Sequence, residues 1–177
     1  MKKDALKSII VLISISLVIA VAMAAVNMIT KDKIAAAEAA KKANAMTVVM
    51  EENGGFEAVT GLTLPEFVSE IWRDLDGEGY VVLLDAKGYD SSKPMSVAVG
   101  LSNDGKILKC EVISCSGETT GIGTKVKGSS FLDQFRGKDQ TLDGVDTIGG
   151  ATISSSGLIH AVRQAFDALE MAKEAAK

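Results

Sequence analysis

Asp146-Thr147-Ile148-Gly149-Gly150-Ala151-Thr152-Ile153-Ser154-Ser155-Ser156 stands directly before the most periodic helical pattern in the chain. In residues 157–176, Leu158, Ile159, Val162, Ala165, Phe166 and Leu169 follow the i, i+3, i+4, i+7 spacing of one helix face. His160, Arg163, Gln164, Asp167 and Glu170 occupy the opposite face, so His160 reads as a surface side chain. A single apolar stripe must be covered by another layer. The helix is therefore expected to pack on a sheet and to fix the small-residue stretch that precedes it. That stretch has two readings. In one, it is a Gly/Ser turn, and its serines cap the helix. In the other, the same helix start binds a phosphate-bearing group at or on Thr152, because unpaired N–H groups and the helix dipole favour an anion there.

The sheet is expected upstream. Residues 70–75 and 79–86 flank the turn Asp76-Gly77-Glu78-Gly79. Val81-Val82-Leu83-Leu84 is continuously apolar, as in a strand buried on both faces. Residues 95–101 and 106–114 flank Ser102-Asn103-Asp104-Gly105, a hairpin signal. Three or four antiparallel strands with one covered face make an α+β domain. A short amphipathic helix is expected over residues 129–137, with Phe131, Leu132 and Phe135 on one side and Gly137 closing it.

Composition narrows the function classes. The 177 residues carry a net charge of -4 and 5% aromatics, unlike a nucleic-acid-binding surface. Two cysteines, Cys110 and Cys115, and one histidine are too few for a Cys/His zinc site. On one strand, cysteines five apart face opposite sides. They are read as two partly buried thiols, with a disulfide requiring the strand to end or bend first.

The mean hydropathy of +0.22 has a local source. Residues 8–29 form an uncharged apolar run, about 33 Å long as a helix and enough to cross a bilayer. Ala22-Met23-Ala24 has the form of a signal-peptide cleavage site, but the run continues past it, which favours an uncleaved anchor. Lysines flank both ends (Lys2, Lys3 and Lys7; Lys31, Lys33, Lys41 and Lys42), so charge does not decide orientation. A short basic N-terminus before a long domain favours residues 1–7 in the cytoplasm. The expectation is a single-pass cell (inner) membrane anchor at 8–29, an Ala/Lys-rich helical stalk at 30–53, and residues 54–177 as the extracytoplasmic domain. Glu51-Glu52-Asn53-Gly54-Gly55 is expected to end the stalk.

A second small-residue loop is Gly117-Glu118-Thr119-Thr120-Gly121-Ile122-Gly123-Thr124-Lys125. It lacks the Gly-Lys-Ser/Thr ending of a phosphate-binding P-loop. Taken together, Glu118-Thr119-Thr120-Gly121-Ile122-Gly123, the later Asp146…Gly150-Ala151-Thr152 and the N-terminal anchor resemble the FMN-binding domain family. Thr152 aligns with the last threonine of that family's acceptor motif, D-x-x-(S/T)-G-A-T. The resemblance implies FMN joined to Thr152 by a flavin transferase through a phosphoester. Gly149 stands where the family usually has Ser or Thr, and Thr120 where its E-T-P-G-L-G signature has proline.

On that reading, the helix start with Ser154 or Ser155 holds the phosphate, and Gly150 and Ala151 let it lie against the backbone. Ile122 supplies an apolar contact to the ring, Gly121 and Gly123 allow close approach, and Thr119 bonds flavin edges. Lys125 favours the reduced, anionic flavin. Glu118 opposes this or pairs with Lys125. No catalytic side chain and no metal ligand is implied.

The implied role is an electron-transfer subunit of a redox-driven, ion-translocating complex of the ferredoxin:NAD oxidoreductase (Rnf) type. Its partners would be the membrane, iron–sulfur and flavin subunits of that complex. The chain's shortness sets it apart from the longer relatives in the sodium-pumping NADH:quinone reductase. Two other readings remain: a membrane-anchored binding or scaffold module without flavin, and a stand-alone extracytoplasmic flavoprotein.

Overall fold

The structure is a computed structural model that describes residues 2–51 and 54–175. The chain divides into two units, Met1–Lys41 and Lys42–Lys177. A long helix, α1, runs over Lys2–Val49. Its Leu6–Val49 segment is long and apolar enough to cross a membrane. Large apolar side chains from Leu6 to Ile29 are exposed all round it, as expected of a helix whose partner is lipid rather than a protein core.

The second unit is built on an antiparallel sheet of β1 (Phe56–Ala58), β2 (Val68–Asp74), β3 (Gly79–Ala86), β4 (Met95–Ser102) and β5 (Ile107–Ser114), ordered β1-β2-β3-β4-β5. The turns at 77 and 105 are glycines with φ of +80° and +72°, a region open to glycine at no steric cost. The α+β class is as expected. The strand count is five, because the three-residue β1 pairs with Trp72–Asp74 of β2. Ser129–Leu132 forms a short α2, continued by a 3₁₀ turn at Asp133–Phe135 that buries Phe131, Leu132 and Phe135.

Both faces of the sheet are covered, not one. On the first face, Val82, Leu84, Val97, Val99 and Leu101 join Leu158, Val162, Ala165, Phe166 and Leu169 of α3 (Thr152–Ala175) in the main core. On the other, Val81, Leu83 and Ala98 pack against Ala45, Met46, Val49 and Met50 at the end of α1. Alternation along β3 sends neighbouring residues to opposite faces, so a strand covered twice is apolar throughout. Each fully buried Val or Leu is worth about 1.5–3 kcal/mol. Gly100 in β4 makes room for this contact, since a Cβ there would overlap the Val49 carbonyl oxygen.

Polar groups reinforce that contact. Lys42 pairs with Glu70 and lies 5.4 Å from the centre of the Trp72 ring, while Trp72 Nε1 donates to Glu70 Oε2 at 2.8 Å. The end of α1 therefore belongs to the core of the second unit. The expected break at 51–55 includes residues 52 and 53, which lie outside the described residues, and Gly55 beyond them has φ +109°.

α3 begins at Thr152, four to five residues earlier than the sequence suggested, and residue 176 at its expected end lies outside the described residues. The three serines are therefore inside the helix rather than caps. The hydroxyls of Ser154 and Ser155 find partners that remove the usual competition with helical backbone. Ser155 Oγ donates to Ala151 O at 2.9 Å and accepts the Ile148 N–H at 3.1 Å, and Ser154 Oγ donates to Glu118 Oε2. A β-turn closes ahead of the helix, from Ala151 N–H to Ile148 O at 2.9 Å, with Gly150 at φ +80°. Cys110 is buried on β5 and Cys115 half-buried beyond it, and both are free thiols. Burial pushes the Cys110 thiol well up. His160 is exposed, its ring set edge-on against Phe67.

Candidate functional site

Three segments meet at the start of α3. The first is the loop after β3, containing Gly88 and Tyr89. The second is the loop after β5. It is folded on itself by hydrogen bonds from Glu118 N–H to Cys115 O, from Ile122 N–H to Thr119 O, and from Gly121 N–H to Thr124 Oγ1. A 3₁₀ turn at Gly123–Lys127 follows. The third is the turn from Ile148 to Ala151 with the first turn of α3. Gly157 lets α3 approach the first segment, because a Cβ there would overlap Lys87 O.

Glu118 joins all three. It is buried, and its two carboxylate oxygens have separate partners. Oε1 accepts the Tyr89 N–H at 2.9 Å, and Oε2 accepts the Ser154 hydroxyl. Gly88 and Gly123 are where the carboxylate needs space: a Cβ on Gly88 would overlap Oε1, and one on Gly123 would overlap Oε2. The room at Gly123 is thus taken by the chain's own carboxylate. Glu118 does not pair with Lys125 among the described residues, and Lys125 is exposed beside the cleft without lining it.

The cleft between the segments has a volume of about 410 Å³. Of the residues singled out from the sequence, Thr152, Gly150, Ala151, Ser154, Glu118, Thr119, Ile122 and Gly123 line it. Ser155, Gly121 and Lys125 do not. Ser155 is fully buried and its hydroxyl is committed to backbone, which takes it out of reach of a ligand. Gly121 serves the loop by its φ of +78°. Two lining residues escaped the sequence reading, Tyr89 and Ile153. An aromatic in a Gly-Tyr-Asp loop gives no local signal. Ile153 was assigned to a turn rather than to the outer face of a helix.

At the helix start, Ser155 N–H closes the first turn on Ala151 O at 3.0 Å. The N–H groups of Thr152, Ile153 and Ser154 precede that first bond and point out of the helix end. Thr152 is exposed, and its hydroxyl makes no hydrogen bond among the described residues. The positions beside Gly149 and Gly150 are open, with nothing within 4 Å of a Cβ placed there. An exposed hydroxyl, free N–H donors, open backbone and an apolar rim suit a cofactor that carries both a phosphate and a flat ring. The volume falls within the roughly 300–1,000 Å³ typical of small-molecule sites.

Residues 88–167 match the FMN-binding domain family. The matched span runs from the Gly88–Tyr89 loop well into α3 and contains every residue lining the cleft. Across 93% of this chain and 94% of the relative, the sequence is 25% identical to a component of the ion-translocating oxidoreductase complex of Methanosarcina acetivorans, the subunit designated G. Both findings agree with the resemblance carried by the two motifs and the anchor. The family match supports FMN binding at this cleft.

Proposed function

We propose that this chain is the electron-transfer subunit of an Rnf-type, redox-driven ion-translocating complex, and that its FMN is held on Thr152 by a phosphoester. One observation carries the reading. Of the four hydroxyl residues in the first turns of α3, Thr152 is the one that is exposed, unbonded and inside the cleft. Ser154 and Ser155 are buried and bonded, and Ser156 lines a different cleft. Bound FMN supplies the redox chemistry. The chain's residues hold and orient it. Thr152 Oγ1 would carry the ester, the N–H groups that open α3 would hold the phosphate, and the backbone beside Gly149 and Gly150 is open to it.

The tether has a purpose if the domain lies outside the cytoplasm, where unattached FMN would diffuse away. In this reading residues 1–7 are cytoplasmic, residues 8–29 span the membrane once, and the sheet domain faces outward. A flavin transferase completes the subunit. The iron–sulfur and flavin subunits of the complex deliver and remove its electrons, so it does not turn over alone.

The test is a denaturing gel viewed under ultraviolet light, using protein made with the flavin transferase. The chain should fluoresce, and Thr152→Ala should be dark yet still in the membrane. A dark parent band would point instead to a module without flavin. A fluorescent Thr152→Ala band would place the ester elsewhere.

A further inference from the structure

A second cleft lies along α3. Its volume is about 660 Å³, against 410 Å³ at Thr152, and the two share no lining residue. Lys87, His160 and Arg163 bring three nitrogen bases to it, and Thr147 and Ser156 bring two hydroxyls. Among the described residues, no aspartate or glutamate lines it. Single exposed cations are ordinary solvated side chains. A concave surface whose polar groups are cations and hydroxyls, in a chain of net charge -4, concentrates one sign of potential.

Local geometry assembles the set. Ser156, Ile159, His160 and Arg163 recur at i, i+3, i+4 and i+7, and so share one face of α3. Lys87 reaches that face because Gly157 has no side chain, since a Cβ there would overlap Lys87 O. Phe67, just before β2, is fastened to the same helix by its N–H, which donates to Gln164 Oε1 at 2.9 Å. Its ring then steadies two of the bases. The His160 ring stands edge-on to it with centres 5.3 Å apart, and Lys87 Nζ lies 5.1 Å from its centre.

The donors are placed without being used up. Lys87 gives one contact to Glu66 at 2.5 Å, and Arg163 one to Thr141 O at 3.4 Å. An ammonium has three N–H groups and a guanidinium five, so both keep donors to spare. The side chains of Thr147, Ser156 and His160 make no hydrogen bond among the described residues. Donors held in position and left unpaired are preorganised for an acceptor.

We propose that this cleft is a binding site for an organic phosphate, its phosphate group among Lys87, Arg163, His160 and the two hydroxyls, and its apolar body over Phe67 and Ile159. Donors arrive from three directions, the loop after β3, the turn before α3 and α3 itself. That suits the several oxygens of a phosphate better than the two of a carboxylate, and arginine with lysine is the pairing that recognises it. Glu66 competes for Lys87 from outside the cleft. The site uses none of the residues assigned to the flavin, so it stands apart from that reading.

His160 is the single histidine of the chain, which makes its ring a built-in reporter. The experiment follows its NMR signals in the full-length, histidine-labelled, flavinylated chain in detergent at fixed pH, during titration with phenyl phosphate, inorganic phosphate or phenol. Phenyl phosphate should move the signals along a saturable curve. Inorganic phosphate should do so with weaker affinity, and phenol should not. Lys87→Ala and Arg163→Ala should each weaken phenyl phosphate about tenfold, the loss of one charge-assisted hydrogen bond. Glu66→Gln, which releases Lys87, should strengthen it. Lys109→Ala, in the separate cleft by Val49, should change nothing.

A shift that stays linear in concentration, or phenol that matches phenyl phosphate, overturns the anion site. So do Lys87→Ala and Arg163→Ala proteins that bind as the parent does. Equal affinity for phenyl phosphate and inorganic phosphate overturns the apolar half of the proposal. A chain dark on a denaturing gel that still binds phenyl phosphate with these variant effects upholds the site and refutes only the flavin reading.

Discussion

A Cβ on Gly88 would occupy the place of Glu118 Oε1, so Gly88→Ala and Glu118→Ala should be strongly non-additive. Alone, Gly88→Ala displaces the carboxylate from the Tyr89 N–H. A hydrogen bond to an ionised group is worth about 1.5–3 kcal/mol. Gly88 is not in the left-handed region, so alanine is tolerated there and returns about 0.4–1 kcal/mol by restricting the unfolded chain. The net loss is roughly 1–2 kcal/mol. Glu118→Ala removes both bonds, to Tyr89 N–H and to the Ser154 hydroxyl, and should cost about 3 kcal/mol or more. In the double variant the obstructing oxygen is gone, so Gly88→Ala should then cost nothing or stabilise slightly. The expected coupling is about 1.5–3 kcal/mol, typical of residues in direct contact. Denaturant unfolding checks it, using emission from Trp72, the single tryptophan of the chain. A double variant whose loss equals the sum of the singles within about 0.5 kcal/mol would refute the keystone role of Glu118.

Gly100→Ala should lower stability by about 1–3 kcal/mol, as overpacking does, because the new Cβ meets the Val49 carbonyl at the end of α1. An unchanged unfolding midpoint would show that α1 does not seat on β4. Asp85 gives a prediction in pH. Although Asp85 is exposed as a residue, partial desolvation of its carboxyl, reinforced by the charge of Glu70, raises it above the ordinary value, whereas Glu70 itself, although burial pushes it up, is held low by Lys42 and Trp72. A raised carboxyl binds protons more readily when folded, so the ionised form at neutral pH opposes folding. That opposition is relieved as pH falls through the raised value. Asp85→Asn should therefore raise Tm at neutral pH, with the advantage vanishing by about pH 3, where Asp85 is protonated in both states. An advantage that persists at low pH would exclude this cause.

Local pattern carried the sheet and α3 well. Glycines at 77 and 105 announced their turns, and the Leu158–Leu169 stripe named the face that enters the core. What local pattern missed depends on partners distant in sequence. Three consecutive serines look like caps until Glu118, 36 residues from Ser154, takes one hydroxyl and lets the helix begin at Thr152. β1 exists because Trp72–Asp74 offers it an edge, and Phe56-Glu57-Ala58 alone shows no alternation to reveal it. Ala45, Met46, Val49 and Met50 did carry a legible signal. Their i, i+1, i+4, i+5 spacing is an apolar stripe, hidden by the alanine-rich helix around it. Of the site, the motif residues were legible, and the rim was not, since neither Tyr89 nor Ile153 belongs to a periodic pattern.

The early start of α3 also bears on which hydroxyl can accept a group. Were the helix to begin at residue 156 or 157, Ser154, Ser155 and Thr152 would all lie in a flexible turn and compete. Instead, helix geometry places successive side chains about 100° apart. Ser154 and Ser155 then turn inward, one to Glu118 and the other to the backbone of Ile148 and Ala151, while Thr152 and Ile153 turn outward. The fold thus leaves Thr152 as the exposed hydroxyl lining the cleft. Gly149 fits the same logic. A side chain there would meet no neighbour, so its lack of a hydroxyl is not imposed by packing, and it leaves one fewer exposed competitor beside the cleft. The carboxylate of Glu118 therefore has two consequences at once. It withdraws the Ser154 hydroxyl from the surface, and it holds the backbone of Tyr89 at the rim of the cleft that Thr152 also lines.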